Sequence, residues 1–132
     1  MSADAQLTAV SKGRLWAGRI ASALPVLMLL VSAGMKFTGG PDVMQGMAKF
    51  GYPESLVIPL GITELACTIL YLIPQTSVLG AILLTGYLGG ATATHVRVGD
   101  LFIAPVITGV LVWAGLYLRD PRLHALVPLR KS

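Results

Sequence analysis

Thr85-Gly-Tyr-Leu-Gly-Gly-Ala-Thr-Ala-Thr-His-Val-Arg97 closes an apolar run that begins near Val78, and its reading decides the fold. A run of this length reads as the outer half of a helix that crosses a bilayer. At helical spacing Thr85, Gly89, Thr92 and His95 share one face, a stripe of small and hydrogen-bonding side chains that ends in an ionisable one. Gly86, Gly90 and Ala93 form a second face, the small-xxx-small pattern that lets helices approach closely in lipid, and it is expected to pack against another helix within the bundle or across a homo-oligomer. A helix facing lipid all round would be Leu, Ile and Val throughout. This one, with Gly86, Gly89, Gly90 and Ala93 as packing positions, is expected to touch protein on most sides.

The composition agrees. Of 132 residues, 55% are hydrophobic and 12% charged, and mean hydropathy is +0.75. A soluble domain carries about 25% charged residues, so the chain reads as a single-domain membrane protein in contact with the lipid bilayer. Net charge is +4, with basic residues gathered mostly in the two termini. Nucleic-acid binding would require a basic surface with aromatic or motif support, and the sequence shows neither. Cys67 is a lone cysteine inside an apolar run, so an internal disulfide and a dithiol redox motif are both excluded.

Outward from the central stretch, apolar runs at about 18–37, 55–73, 77–96 and 101–118 predict four membrane spans. The first resembles a signal peptide in its basic lead and Ser32-Ala33-Gly34, but its apolar part exceeds a usual signal core, so it reads as a retained span. Trp16 precedes it as an interfacial anchor. Ser22, Pro25, Leu29, Ser32 and Lys36 share one face of that span, and Pro25 implies a kink. Between spans one and two, Pro41 and Asp42 start a helix that Gly51 and Pro53 stop. At about 41–50 it is too short to cross, and it is expected to lie at the interface or cap the bundle. Pro74–Ser77 and Arg97–Asp100 are tight connections, which make consecutive spans antiparallel neighbours. The tail, with Leu123, Leu126, Val127 and Leu129 among basic residues, reads as lying on a membrane surface. The fold class is therefore all-α: a polytopic four-transmembrane-helix bundle with a short interfacial helix.

Four spans place both ends on one side. Lys12, Arg14 and Arg19 precede the first, and Arg119, Arg122, Arg130 and Lys131 follow the last, against Lys36, Lys49 and Arg97 on the opposite side. The positive-inside rule makes the richer side cytoplasmic.

Glu64 is the sharpest chemical signal. It sits near mid-membrane on a face with Gly61, Thr68 and Tyr71, where a carboxylate must be paired, protonated or hydrated. The candidate ligand-pocket residues are Lys36, Glu64, Thr68, Thr85, Thr92, His95 and Arg97. The reading commits to an outward-opening pocket formed by Glu64, Lys36, His95 and Thr92, capped by the helix at 41–50. Lys36 equally suits snorkelling to headgroups, and His95 and Arg97 equally suit an exposed interface. No metal site is expected, since His95 and His124 fall on opposite sides and Cys67 has no partner of its kind. No nucleophile elbow or phosphate loop occurs, and Thr85–Gly90, though glycine-rich, lies within a span. Any redox role would draw its electrons from a bound quinone or a partner.

Gly34-Met-Lys36-Phe37-Thr-Gly39, Phe50-Gly51-Tyr52-Pro53, Glu64 with Tyr71-Leu-Ile-Pro74, the run Leu79–Arg97 and the ending Trp113–Pro121 resemble the DoxX-like family. The resemblance covers about residue 18 to the end, and one departure is Gln75, where an arginine is expected. It implies a four-span protein of the bacterial inner (cytoplasmic) membrane. Members include a subunit of a thiosulfate:quinone oxidoreductase and, more distantly, eukaryotic membrane chaperones. Two functions follow: a quinone- or small-molecule-binding subunit of a membrane oxidoreductase with Glu64 and His95 handling protons, or a non-catalytic assembly or scaffold protein. A homo-oligomer or a membrane-complex partner fits either. Transport is a weaker third reading, because four short spans would have to oligomerise to enclose a path.

Overall fold

The computed structural model describes residues 11–130. Ser11 opens α1 (Lys12–Thr38), its hydroxyl accepting the Arg14 N–H at 3.2 Å. That cap starts the helix about one and a half turns before the apolar run, earlier than hydropathy alone predicts. Gly39 closes α1 in the left-handed conformation, φ 63°, its N–H bonded to the Met35 carbonyl. Pro41 then takes the first turn of α2 (Pro41–Phe50), where its missing N–H costs nothing. After Gly51 (φ 82°) a 3₁₀ turn, Glu54–Leu56, leads into α3 (Val57–Leu72). A second one, Pro74–Thr76, leads into α4 (Ser77–Arg97). α5 (Ile103–Arg119) and a last 3₁₀ turn, Pro121–Ala125, complete the order.

Three helical segments are long and apolar enough to cross a bilayer: Lys12–Thr38, Glu54–Leu72 and Pro74–Arg97. α5, with 17 residues, stands at the short limit. In cross-section the long helices form a ring, α1 beside α3 and α5, and α4 beside the same two. Both described ends emerge at one end of the bundle, where Arg14 Nη2 lies 2.9 Å from His124 Nε2. The tail folds back there and buries Leu123 in the core cluster, while Leu126 and Leu129 stay exposed.

The distribution of side chains is that of a protein in lipid. Leu27, Val31, Ile62 and Val110 are all more than half exposed, whereas Ser22, Glu64, Thr68, Ser77, Thr94 and Thr108 are buried. In water the apolar surface would be costly; in hydrocarbon it is solvated, and polar groups are driven inward to find partners. This is a multi-pass membrane protein built as an all-helical bundle.

Within the chain, the closest helix contacts are made at small residues other than Gly86, Gly89, Gly90 and Ala93. A Cβ on Gly115 would collide with Ser22 Oγ and lie 2.7 Å from the Ser22 nitrogen, and one on Gly18 would meet Arg119 Cγ at 2.5 Å. These positions set how closely α1 and α5 cross. A Cβ on Gly80 would lie 2.5 Å from Tyr71 Cα, so α4 lies directly against the end of α3. By contrast, Gly86, Gly89, Gly90 and Ala93 are exposed, and a Cβ on any of these three glycines meets nothing within 4 Å. Within the chain, that face is not a helix-helix contact.

Candidate functional site

The site lies at the end of the bundle remote from the described termini, beneath α2. Glu64, one turn beyond Gly61 on α3, points at α1, where a Cβ on Gly61 would stand 3.2 Å from Lys36 Cβ. This close approach brings the two charges together. Lys36 Nζ donates to Ser32 Oγ at 2.8 Å, Ser32 Oγ donates to Glu64 Oε2 at 3.1 Å, and Nζ reaches the same oxygen at 3.4 Å. The Lys36 and Glu64 side chains are 17% and 3% exposed, so water screens the pair little. Removing one partner of such a buried pair costs about 3–5 kcal/mol, because it strands the other charge. Thr68, fully buried one turn behind, donates its hydroxyl to the Glu64 carbonyl at 2.8 Å and does not line the cavity that Glu64 borders.

α4 supplies the opposite wall. Gly80 must face Tyr71, and this fixes the rotation of the whole helix. At 100° per residue, Tyr87, Ala91, Thr94 and His95 fall within about 60° of Gly80, whereas Thr85, Gly89 and Thr92 fall about 120° or more away. Accordingly Tyr87, Thr94 and His95 line the cavity that holds Lys36 and Glu64. Thr85 and Thr92 line a separate apolar groove between α4 and α5, with their hydroxyls bonded to Ala81 and Leu88 carbonyls. The Trp113 indole also donates to Thr85 Oγ1 at 2.6 Å. His95 Nδ1 lies 2.6 Å from the Ala91 carbonyl; because a carbonyl only accepts, Nδ1 carries the proton and Nε2 is an acceptor in the neutral ring.

α2 closes the outer end. Phe50 packs against His95 with ring centroids 4.8 Å apart and ring planes tilted by 56°, and the Phe50 carbonyl accepts from Arg97 Nη2. Tyr52 donates to Thr94 Oγ1 at 2.7 Å, and Lys49 pairs with Asp100 at 3.3 Å. Asp100, in the turn after α4, is held below the usual carboxylate range by the Leu101 N–H and then by Lys49. Arg97 is therefore an anchor for α2 and not a cavity residue. At the opposite end of the bundle, Arg122 holds Asp120 low by a two-pronged contact at 2.7 and 2.8 Å.

The result is a cavity of about 450 Å³ with Met28, Leu29, Met47, Leu60 and Pro105 as apolar wall, and Lys36, Ser32, Glu64, Tyr87 and His95 as its polar groups. That is the size and character of a site for a small molecule. Among the residues singled out from sequence, the structure brings together Lys36, Glu64 and His95, and Gly86 and Gly90, expected as packing positions, border the same cavity. It places Thr68, Thr85, Thr92 and Arg97 elsewhere. Tyr52, Tyr87 and Thr94 were missed; the signal available for two of them was their angular distance from Gly80.

A model of the DoxX-like family matches residues 20–115. The chain belongs to the DoxX-like family. No curated protein and no solved structure matches it. In this DoxX-like protein the matched stretch contains the whole cavity, from Met28 to Thr108, and ends at Gly115, where α5 crosses α1.

Proposed function

We propose that this protein binds an amphipathic small molecule in the cavity under α2, as the ligand-binding subunit of a membrane oxidoreductase system. The observation that carries this is the Lys36–Ser32–Glu64 chain, buried at the edge of an otherwise apolar cavity. Well-packed apolar side chains would serve stability as well or better than a buried ion pair, and an ionisable residue at membrane depth favours a functional role. A quinone is the ligand the family resemblance suggests. The residues fit one: the apolar wall accepts a ring and the start of a tail, and Lys36 and Tyr87 can donate to ring oxygens. The quinone would supply two-electron redox chemistry; the chain's own groups would bind and orient it, with Glu64 and His95 positioned to hold protons. Electrons would come from a partner.

The membrane assigned is the bacterial inner membrane, with both termini cytoplasmic. A scaffold role is the second reading, favoured by the exposed small face at Gly86, Gly89, Gly90 and Ala93, which could receive a second copy. Mass spectrometry of compounds retained after mild detergent extraction separates the two. A small molecule retained by wild type and lost from the double variant Lys36→Met, Glu64→Leu supports the ligand site. A folded wild type that retains only bulk phospholipid, in the same amounts as the double variant, refutes it.

A further inference from the structure

Among the described residues, two buried side-chain atoms lack a hydrogen-bond partner, and one is Glu64 Oε1. Its residue is 2% exposed and lies at the cavity wall. The other oxygen, Oε2, already receives Ser32 and Lys36. An ionised carboxylate beside a lysine can only accept, so Oε1 calls for a donor, and buried acceptors rarely go without one. Tyr87 lines the same cavity as Glu64, but its hydroxyl makes no hydrogen bond to Oε1. Around these groups the cavity is lined chiefly by carbon.

A second cavity adjoins the first. It lies between α1 and α2 and shares Met28, Ser32, Lys36, Met47 and Phe50 with it as a common wall. Its far side is bounded by Leu27 and Val31, which are 60% and 62% exposed and therefore face lipid. Gly46 of α2 also lines it, and a Cβ there would meet nothing within 4 Å.

We infer that the ligand is a lipid-borne molecule whose head group donates a hydrogen bond to Glu64 Oε1, and that it reaches the cavity sideways from the bilayer beneath α2. This rests on the ligand-binding reading above and narrows it. A head that only accepts, such as an oxidised quinone, leaves Oε1 unmet; a phenol, hydroquinone or other hydroxyl-bearing head satisfies it. The tail remains in the vestibule and the surrounding lipid.

The test uses the full chain in phosphatidylcholine nanodiscs with 4-nonylphenol and 4-nonylanisole, which share a tail and differ in one O–H. The phenol is expected to bind at least about tenfold tighter, the range for a hydrogen bond to a charged acceptor. In Glu64→Gln, Ser32 and Lys36 hold the amide oxygen and turn its NH₂ to the Oε1 position, so the preference should fall to about twofold or less. Gly46→Trp fills the vestibule and should slow association and dissociation together while keeping the phenol-to-anisole ratio. Equal binding of the two compounds to wild type overturns the donor requirement and leaves the ligand-binding reading standing. Binding of neither defeats that reading and this inference with it. A preference that survives Glu64→Gln removes Oε1 from the account, and unchanged rates in Gly46→Trp remove the sideways route.

Discussion

At the residue scale, Tyr71 shows how a polar group is used to hold helices in lipid. Its hydroxyl donates to the Val112 carbonyl of α5 at 2.7 Å and pairs with Ser22 Oγ of α1 at 2.8 Å, so one atom of α3 ties three helices together. The Arg119 guanidinium lies 5.7 Å from the centre of the same ring. Hydrocarbon offers the Ser22 hydroxyl no replacement partner. Tyr71→Phe keeps the ring and removes this node, and is expected to destabilise the bundle by about 1–2 kcal/mol. A lowered midpoint of thermal unfolding in detergent checks it, and an unchanged midpoint means that the node carries no net stability. Glu64 is the contrasting case: its pairing with Lys36 was legible from depth and spacing, but the Ser32 relay between them depends on a rotamer that no sequence pattern reports.

At the element scale, the rotation of α4 decides which residues meet the cavity. The small residues of this helix divide by one physical test, whether backbone lies behind them. Gly80 faces the Tyr71 backbone, so Gly80→Ala should cost about 1–3 kcal/mol or more by overpacking. Gly90→Ala faces open space, and an alanine in a helix removes the flexibility cost of glycine, so the monomer should be unchanged or more stable by up to about 1 kcal/mol. Thermal unfolding of the two variants side by side measures the contrast. A Gly90→Ala protein as damaged as Gly80→Ala would mean that the exposed face is covered by another chain. The stripe of Thr85, Gly89 and Thr92 reads as inward on a helical wheel because a wheel has no origin; Gly80 supplies it. α2 follows similar logic. Its apolar face and its proline start are plain in sequence, whereas its docking through Phe50 on His95, Tyr52 on Thr94 and Lys49 on Asp100 depends on distant segments meeting.

At the scale of the whole molecule, the charge distribution is the basis of the orientation proposed above. Arg14, Arg119 and His124 converge at one end with the described termini, while Lys36, Lys49 and Arg97 stand at the other beside Glu64 and Asp100. Two of the three cations at the cavity end are therefore neutralised by a partner. The excess of unpaired positive charge lies with the termini, which the positive-inside rule assigns to the cytoplasm. A reporter active only in the periplasm, fused after Ser132, should be silent, and the same reporter inserted in the turn at Gly99 should be active. The reverse pattern would invert the molecule and open the cavity to the cytoplasmic side.

Sequence alone determined the solvent and the class of fold. Apolar runs of about 20 residues have few stable solutions in a bilayer other than helices, because backbone groups find no partners in hydrocarbon. It also determined that Glu64 needs a partner, since an ionisable group at that depth is costly by itself. The short helix at 41–50 followed from proline and glycine chemistry local to its ends. Only the tertiary structure decided which small residues are contacts, which way α4 is turned, and which polar side chains share a cavity. Those outcomes rest on ångström-scale approaches between segments far apart in the chain, Gly61 to Lys36, Gly80 to Tyr71 and Gly115 to Ser22. Periodicity reports the spacing of residues along one helix, and it contains no information about what stands opposite.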